Sequence, residues 1–180
     1  MPTTRNSDQL FQILLRGVIV GMIGGVLMAI FVMIASATYL HMGFFTPLYA
    51  IAEPLIGSQP LLASIADGIF YLALGPALLG LVGHLLWSAL WGLIFGLLAH
   101  RLQLSGGRAI ISGLIYGVLV MLVMVFLVLP LVGASSLLQL LGGWAFIITI
   151  ANALFYGMSL GMWPVLQPQF FTDLSARQAV

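Results

Sequence analysis

Apolar residues run almost unbroken through four stretches of the chain, at about 14–40, 76–99, 109–132 and 141–165. Each supplies the ~20 apolar residues that a helix needs to cross a bilayer core about 30 Å thick. Within these stretches small residues return at every fourth position. They are Gly17, Gly21, Gly25 and Ala29 in the first, Ser88, Gly92 and Gly96 in the second, Ala109, Gly113 and Gly117 in the third, and Ala153, Gly157 and Gly161 in the fourth. A spacing of four keeps side chains on one helix face. In lipid, where the hydrophobic effect does little to join helices, such smooth faces let backbones approach closely. The pattern therefore predicts an all-α, polytopic integral membrane four-helix bundle, a single membrane domain over residues 1–180.

Between the first two stretches lies a segment, 42–75, punctuated by Pro47, Pro54 and Pro60, with Pro76 just beyond it. Proline breaks a continuous helix, and Gly57, Gly68 and Gly75 loosen it further. "LLASIADGIFYLAL" within this segment is too short to span and predicts one extra interfacial or re-entrant helix. The first apolar run contains "ASA" at 35–37, a superficial match to a signal-peptide cleavage site. It is longer than the roughly 7–15 residues of a signal h-region, so it is expected to stay in place as a spanning helix.

Composition agrees with this reading. Of 180 residues, 62% are hydrophobic and 5% charged, against roughly 45–50% and about 25% in soluble domains. All the basic residues are arginine: Arg5, Arg16, Arg101, Arg108 and Arg177. In the four-helix reading they all fall on one side, whereas Glu53 and Asp67 fall on the other. The positive-inside rule then makes both termini cytoplasmic and segment 42–75 external, with a bacterial inner membrane as the expected location. A net charge of +1 gives no field that would gather nucleic acid. With no cysteine, thiolate metal sites, disulfides and cysteine nucleophiles are excluded.

The halves of the chain look alike. "GVIVGMIGGVLMAIFVM" aligns with "GLIYGVLVMLVMVFLVL", "PLIG" at 54–57 recurs as "PLVG" at 130–133, and Trp91, Gly92 and Gly96 align with Tyr156, Gly157 and Gly161. These matches suggest a duplicated helical hairpin, with units 14–100 and 108–166 related by a pseudo-two-fold axis along the membrane normal. The helix Gly83-His84-Leu85-Leu86 through Gly92 and Gly96, followed by "GLIYG" and "LPLVG", resembles a widespread, mostly uncharacterised kind of small four-helix bacterial membrane protein. That resemblance is best over 80–133 and implies a compact four-helix fold without an activity. Thr149 stands where a second histidine would complete a symmetric two-histidine site.

Ionisable residues at membrane depth are costly and therefore candidates for function. His41, Glu53, Asp67 and His84 could together hold a divalent metal if segment 42–75 folds back over the bundle. The plainer reading has His84 bonded to a neighbouring helix carbonyl, with Glu53 and Asp67 capping short helices. His84 beside the Ser88 groove could instead ligate a tetrapyrrole, with Trp87 and Trp91 on the same helix as flanking contacts. His100 lies sixteen residues further along, about 24 Å at the helical rise, so the two histidines cannot share one iron. His100 beside Arg101 reads as an interface anchor or phospholipid contact. Trp87, Trp91 and Phe95 form an aromatic ridge suited to lipid, a quinone, a carotenoid or another subunit. Trp144 and Trp163 read as interfacial belt residues.

Three functions follow as expectations. The favoured one is a non-catalytic membrane subunit packed against other subunits, or against its own copies, and bathed in lipid. The others are a small homo-oligomeric transporter or channel, with His84, Ser88, Thr149 and Asn152 along its path, and a cofactor- or metal-binding protein using His84.

Overall fold

The computed structural model describes residues 3–133 and 144–163. Among these, every regular element is a helix. In chain order they are α1 (Thr3–Thr38), α2 (Thr46–Ile56), α3 (Gln59–Ala66), α4 (Leu74–Arg101), α5 (Gly106–Leu131) and α6 (Trp144–Gly161). Four of them, α1, α4, α5 and α6, are long and apolar enough to cross a membrane. The ends of the expected fourth span, 141–143 and 164–165, lie outside the described residues.

The four long helices associate as two antiparallel pairs, α1 with α4 and α5 with α6, and α1 also packs on α6. Glycine sets both pairings, because a single Cβ added at either seam would collide with backbone. A Cβ on Gly17 would sit 2.7 Å from the Gly92 carbonyl oxygen, and one on Gly157 would sit 2.5 Å from that of Gly113. Likewise a Cβ on Gly96 would sit 3.4 Å from the Ile13 carbonyl oxygen, and one on Gly161 would sit 3.1 Å from that of Ala109. These contacts join positions that the internal alignment makes equivalent. Backbones this close exchange van der Waals contact and Cα–H···O bonds, each worth about 0.5–1 kcal/mol. All four small-residue faces thus find a partner within the chain.

One seam differs from the sequence pattern. On α6 the close approach to Gly117 comes from the carbonyl of Asn152, and Ala153 is only half-buried. The cause is a widened, π-helical stretch over Ala151–Gly157. The extra residue per turn makes the seam step from Asn152 to Gly157, five positions rather than four. A second π-helical stretch, Met124–Val128, precedes Pro130. Proline lacks an N–H and its ring collides with the carbonyl four residues back, here that of Phe126, so the turn widens.

Segment 42–75 holds two short helices in place of the single one expected near 61–74. Pro47 and Pro60 lie in the first turns of α2 and α3. There a missing N–H costs nothing and the fixed φ assists, so these prolines start helices instead of breaking them. The chain leaves α3 at Asp67 and turns at Gly68, whose φ of 104° is open only to glycine without strain. α2 lies on α4 where Gly80 leaves room for the Leu48 carbonyl. Hydroxyls then staple the unit together. Ser36 donates to the Gly43 carbonyl at 2.8 Å, and Thr46 and Ser64 share a 2.9 Å bond. The Tyr49 hydroxyl accepts from the Ala73 N–H at 2.8 Å and donates to the Tyr71 carbonyl at 3.2 Å.

Candidate functional site

The pairwise helix packing leaves one junction incomplete. The internal alignment that makes α1 equivalent to α5 and α4 to α6 also makes the α1–α6 junction equivalent to the α5–α4 junction. In the first, Gly24 lies against Ser159 and Tyr156, with room for a Cβ only 3.0 Å from the Ser159 side chain. In the second, the equivalent residues are Val120, Ile94 and Trp91. α4 and α5 touch over a much smaller area than α1 and α6 do. There Tyr116 donates to the Trp91 carbonyl at 2.9 Å and packs on Phe95 with ring centroids 5.1 Å apart.

Above that closure lies a cavity of about 180 Å³. Its back wall is α1 (Met28, Ala29, Val32) with α6 (Trp144, Ile148, Asn152, Tyr156), and its roof is α2 (Leu48, Ile51). α4 gives one flank, with His84, Trp87, Ser88 and Trp91, and α5 gives the other, with Met121, Met124 and Val125. The two flanks, α4 and α5, are the neighbouring long helices that touch each other least. Both π-helical stretches contribute to the wall. Extra-residue turns of this kind re-aim side chains and recur at functional sites.

Polar atoms in the wall fall into two groups. The first is satisfied. His84 Nε2 lies 2.9 Å from the Gly25 carbonyl oxygen, and because a carbonyl only accepts, Nε2 carries the hydrogen and Nδ1 is the acceptor of the neutral ring. Ser88 donates to the His84 carbonyl at 2.8 Å, Asn152 Nδ2 donates to the Ile148 carbonyl at 2.9 Å, and Tyr156 donates to the Ser88 carbonyl at 2.7 Å. The second group is not. The indole Nε1 atoms of Trp91 and Trp144 are buried out of contact with the cavity space and without a hydrogen-bond partner among the described residues. A buried donor left so costs roughly 1–3 kcal/mol.

The four residues expected at a cofactor site, His84, Trp87, Ser88 and Trp91, all line this cavity. Its size is close to the roughly 150 Å³ that accepts one benzene ring, and below the ~300–1,000 Å³ of ordinary ligand pockets. A tetrapyrrole ring does not fit it, and His84 Nε2 is already engaged. The four residues expected to share a metal are not brought together, and no group of three or more His, Asp or Glu able to hold one occurs among the described residues. His41, at φ 53°, and Asp67 are exposed at turns, Glu53 is buried in α2, and His84 faces the cavity. The hydroxyl-stapled fold of 42–75 lays α2 over the bundle with Glu53 buried in it, and leaves Asp67 exposed at the end of α3. Neither Glu53 nor Asp67 caps a helix N-terminus with its side chain, and Asp67 serves as the C-cap of α3.

Of the expected transport path, His84, Ser88 and Asn152 reach the cavity, and Thr149 instead bonds to Ala145 and Met121. His100 is exposed in the last turn of α4 beside Arg101. Trp144 and Trp163 are 5% and 1% exposed, so they are interior residues and not an interfacial belt. Trp163 fills the space that Gly96 leaves open. Sequence reasoning also passed over Met28, Met121, Met124 and Tyr116. The "GLIYG" tyrosine, a hydroxyl three residues from a glycine seam, was the available signal. No protein family, curated protein or solved structure matches the chain.

Proposed function

We propose that this is a membrane-embedded binding protein that holds one small apolar molecule between its two helical hairpins. The cavity carries this reading: its lining is largely apolar, it is ring-sized, and its flanks α4 and α5 touch little, so we read its mouth as lying between them and facing the bilayer. We infer that the hairpins arose by duplication, supported by the matched glycine contacts. Both termini lie on the cytoplasmic side of a bacterial inner membrane, a reading supported by Arg16, Arg101 and Arg108 at one end of the bundle. A role as a subunit of a larger complex is compatible with this reading. It gains nothing from the small-residue seams, which are consumed within the chain.

The test is a titration of detergent-purified protein with decylbenzene, an apolar ring with a tail, read by native mass spectrometry. One saturable adduct per chain is expected. Met124→Trp, which fills the half-buried mouth with a larger side chain, abolishes it. A wild type without a saturable adduct, or a Met124→Trp variant that binds as well, overturns the reading.

A further inference from the structure

Resting on that reading, the hydrogen bonds of the wall narrow the class of occupant. Among the described residues that line the cavity there is no Asp, Glu, Lys or Arg. The neutral polar side chains have nearly all their hydrogens committed to helix carbonyls. The Ser88 hydroxyl donates to His84, the Tyr156 hydroxyl to Ser88, His84 Nε2 to Gly25, and Asn152 Nδ2 gives one hydrogen to Ile148. What these side chains have left is mainly acceptor capacity. His84 Nδ1 and Asn152 Oδ1 have no hydrogen bond among the described residues, and each hydroxyl oxygen can still accept. On the donor side remain the second amide hydrogen of Asn152 and the indole of Trp87, since those of Trp91 and Trp144 are sealed from the cavity. Asn152 is 5% exposed and sits in the back wall, so its unmet acceptor lies in a low-dielectric interior. An acceptor left so is costly there.

We propose that the occupant is an uncharged, hydroxyl-bearing apolar molecule whose O–H donates to one of the two free acceptors of the wall, His84 Nδ1 or Asn152 Oδ1. A charged head of either sign is disfavoured, because a carboxylate finds no cation in the wall and an ammonium finds no carboxylate. A carbonyl or an ether only accepts and leaves both wall acceptors unmet, whereas a hydroxyl supplies the missing hydrogen and still accepts. The volume, about 180 Å³, admits one ring or one chain end with its hydroxyl, on the scale of the roughly 150 Å³ that takes a benzene. Two sources share this chemistry, a tailed phenol and a long-chain alcohol. Met28, Met121 and Met124 in the wall are adaptable enough to pack against either.

The experiment compares 4-decylphenol, 4-decylanisole, tetradecan-1-ol and decylbenzene on the intact chain by native mass spectrometry, in wild type, His84→Leu and Asn152→Leu. Decylanisole keeps the ring and the oxygen of decylphenol and lacks only its hydrogen. Each leucine variant removes one acceptor and keeps an apolar side chain in its place. A hydroxyl compound binds wild type about five- to tenfold tighter than decylbenzene does, the worth of one neutral hydrogen bond, and decylanisole gains nothing. At least one leucine variant abolishes that preference. Decylbenzene binds all three proteins alike, which also reports that the variants are folded. Preference for decylphenol identifies the phenol source, and preference for tetradecan-1-ol identifies the alcohol. If decylanisole binds wild type as tightly as decylphenol does and tetradecan-1-ol no tighter than decylbenzene, or if both variants keep the full preference, the hydroxyl assignment is overturned while the cavity itself stands. If none of the four binds, the cavity reading fails with it.

Discussion

Adding one methyl group to a seam glycine should push a helix pair apart, and the structure gives the size of the effect. A Cβ on Gly157 falls 2.5 Å from the Gly113 oxygen and 3.0 Å from the Leu114 Cα, whereas ordinary contact begins at 3.4 Å. Both neighbours are backbone and cannot rotate away, so α5 and α6 must separate by nearly 1 Å at this point. A gap of 0.5–1 Å forfeits about a quarter to a half of each dispersion contact along the seam. Overpacking of this kind costs about 1–3 kcal/mol. Against it stands the helix preference of alanine over glycine, about 1 kcal/mol. Gly157→Ala should therefore destabilise by roughly 1 kcal/mol, and Gly92→Ala, facing Gly17 and Gly21, by a similar amount. Gly107→Ala is the control. A Cβ there meets nothing within 4 Å, so only the propensity gain of about 0.5–1 kcal/mol remains. Unfolding in mixed micelles with rising dodecyl sulfate measures all three. A double-mutant cycle adds a second test: Gly17→Ala with Gly92→Ala should be non-additive, and Gly92→Ala with Gly157→Ala additive within about 0.5 kcal/mol. Seam variants as stable as Gly107→Ala, or coupling between the two hairpins as strong as within one, would refute the reasoning.

Other consequences follow from single bonds. Replacing His84 by leucine removes the hydrogen bond to the Gly25 carbonyl and should cost about 1 kcal/mol in the same assay, whereas His84→Gln keeps an Nε2 donor and should retain most of it. Tyr116→Phe removes the hydroxyl that ties α5 to the Trp91 carbonyl. It should lower stability by roughly 0.6 kcal/mol and speed exchange of bound decylbenzene. The absence of cysteine makes topology direct to read. Leu55→Cys and Leu102→Cys, 76% and 62% exposed, should react with a membrane-impermeant maleimide from opposite faces, Leu55→Cys from outside the cell. Labelling of both from one face would contradict the four-span topology.

The four spans and most of their contacts were legible in the sequence because both depend on local periodicity, and a run such as Gly17, Gly21, Gly25 leaves little choice of face. What stayed hidden depends on departures from regularity or on pairs of residues far apart. Asn152 replaced Ala153 at the seam because a π-helical stretch changes the step, and no four-residue period records that. Pro47 and Pro60 mark helix starts, yet proline alone does not say on which side of it a helix lies. Trp144 and Trp163 sit near span ends, where a belt residue and an inward anchor have the same sequence position and differ only in the face they take. The cavity is a further step removed. Its lining comes from five helices, α1, α2, α4, α5 and α6, a grouping visible only once the helices that meet are known.

The central claim is an α4–α5 junction that is open to the bilayer and occupied by a small molecule. Photolabelling in native membranes tests this directly, using decylbenzene with a diazirine near the ring and peptide mass spectrometry to locate the adducts. Labels should concentrate on Trp87, Trp91, Met121 and Met124, and should be competed away by unlabelled decylbenzene. Labels spread over the outward-facing Ile111, Ile115 and Phe126 without competition would contradict it.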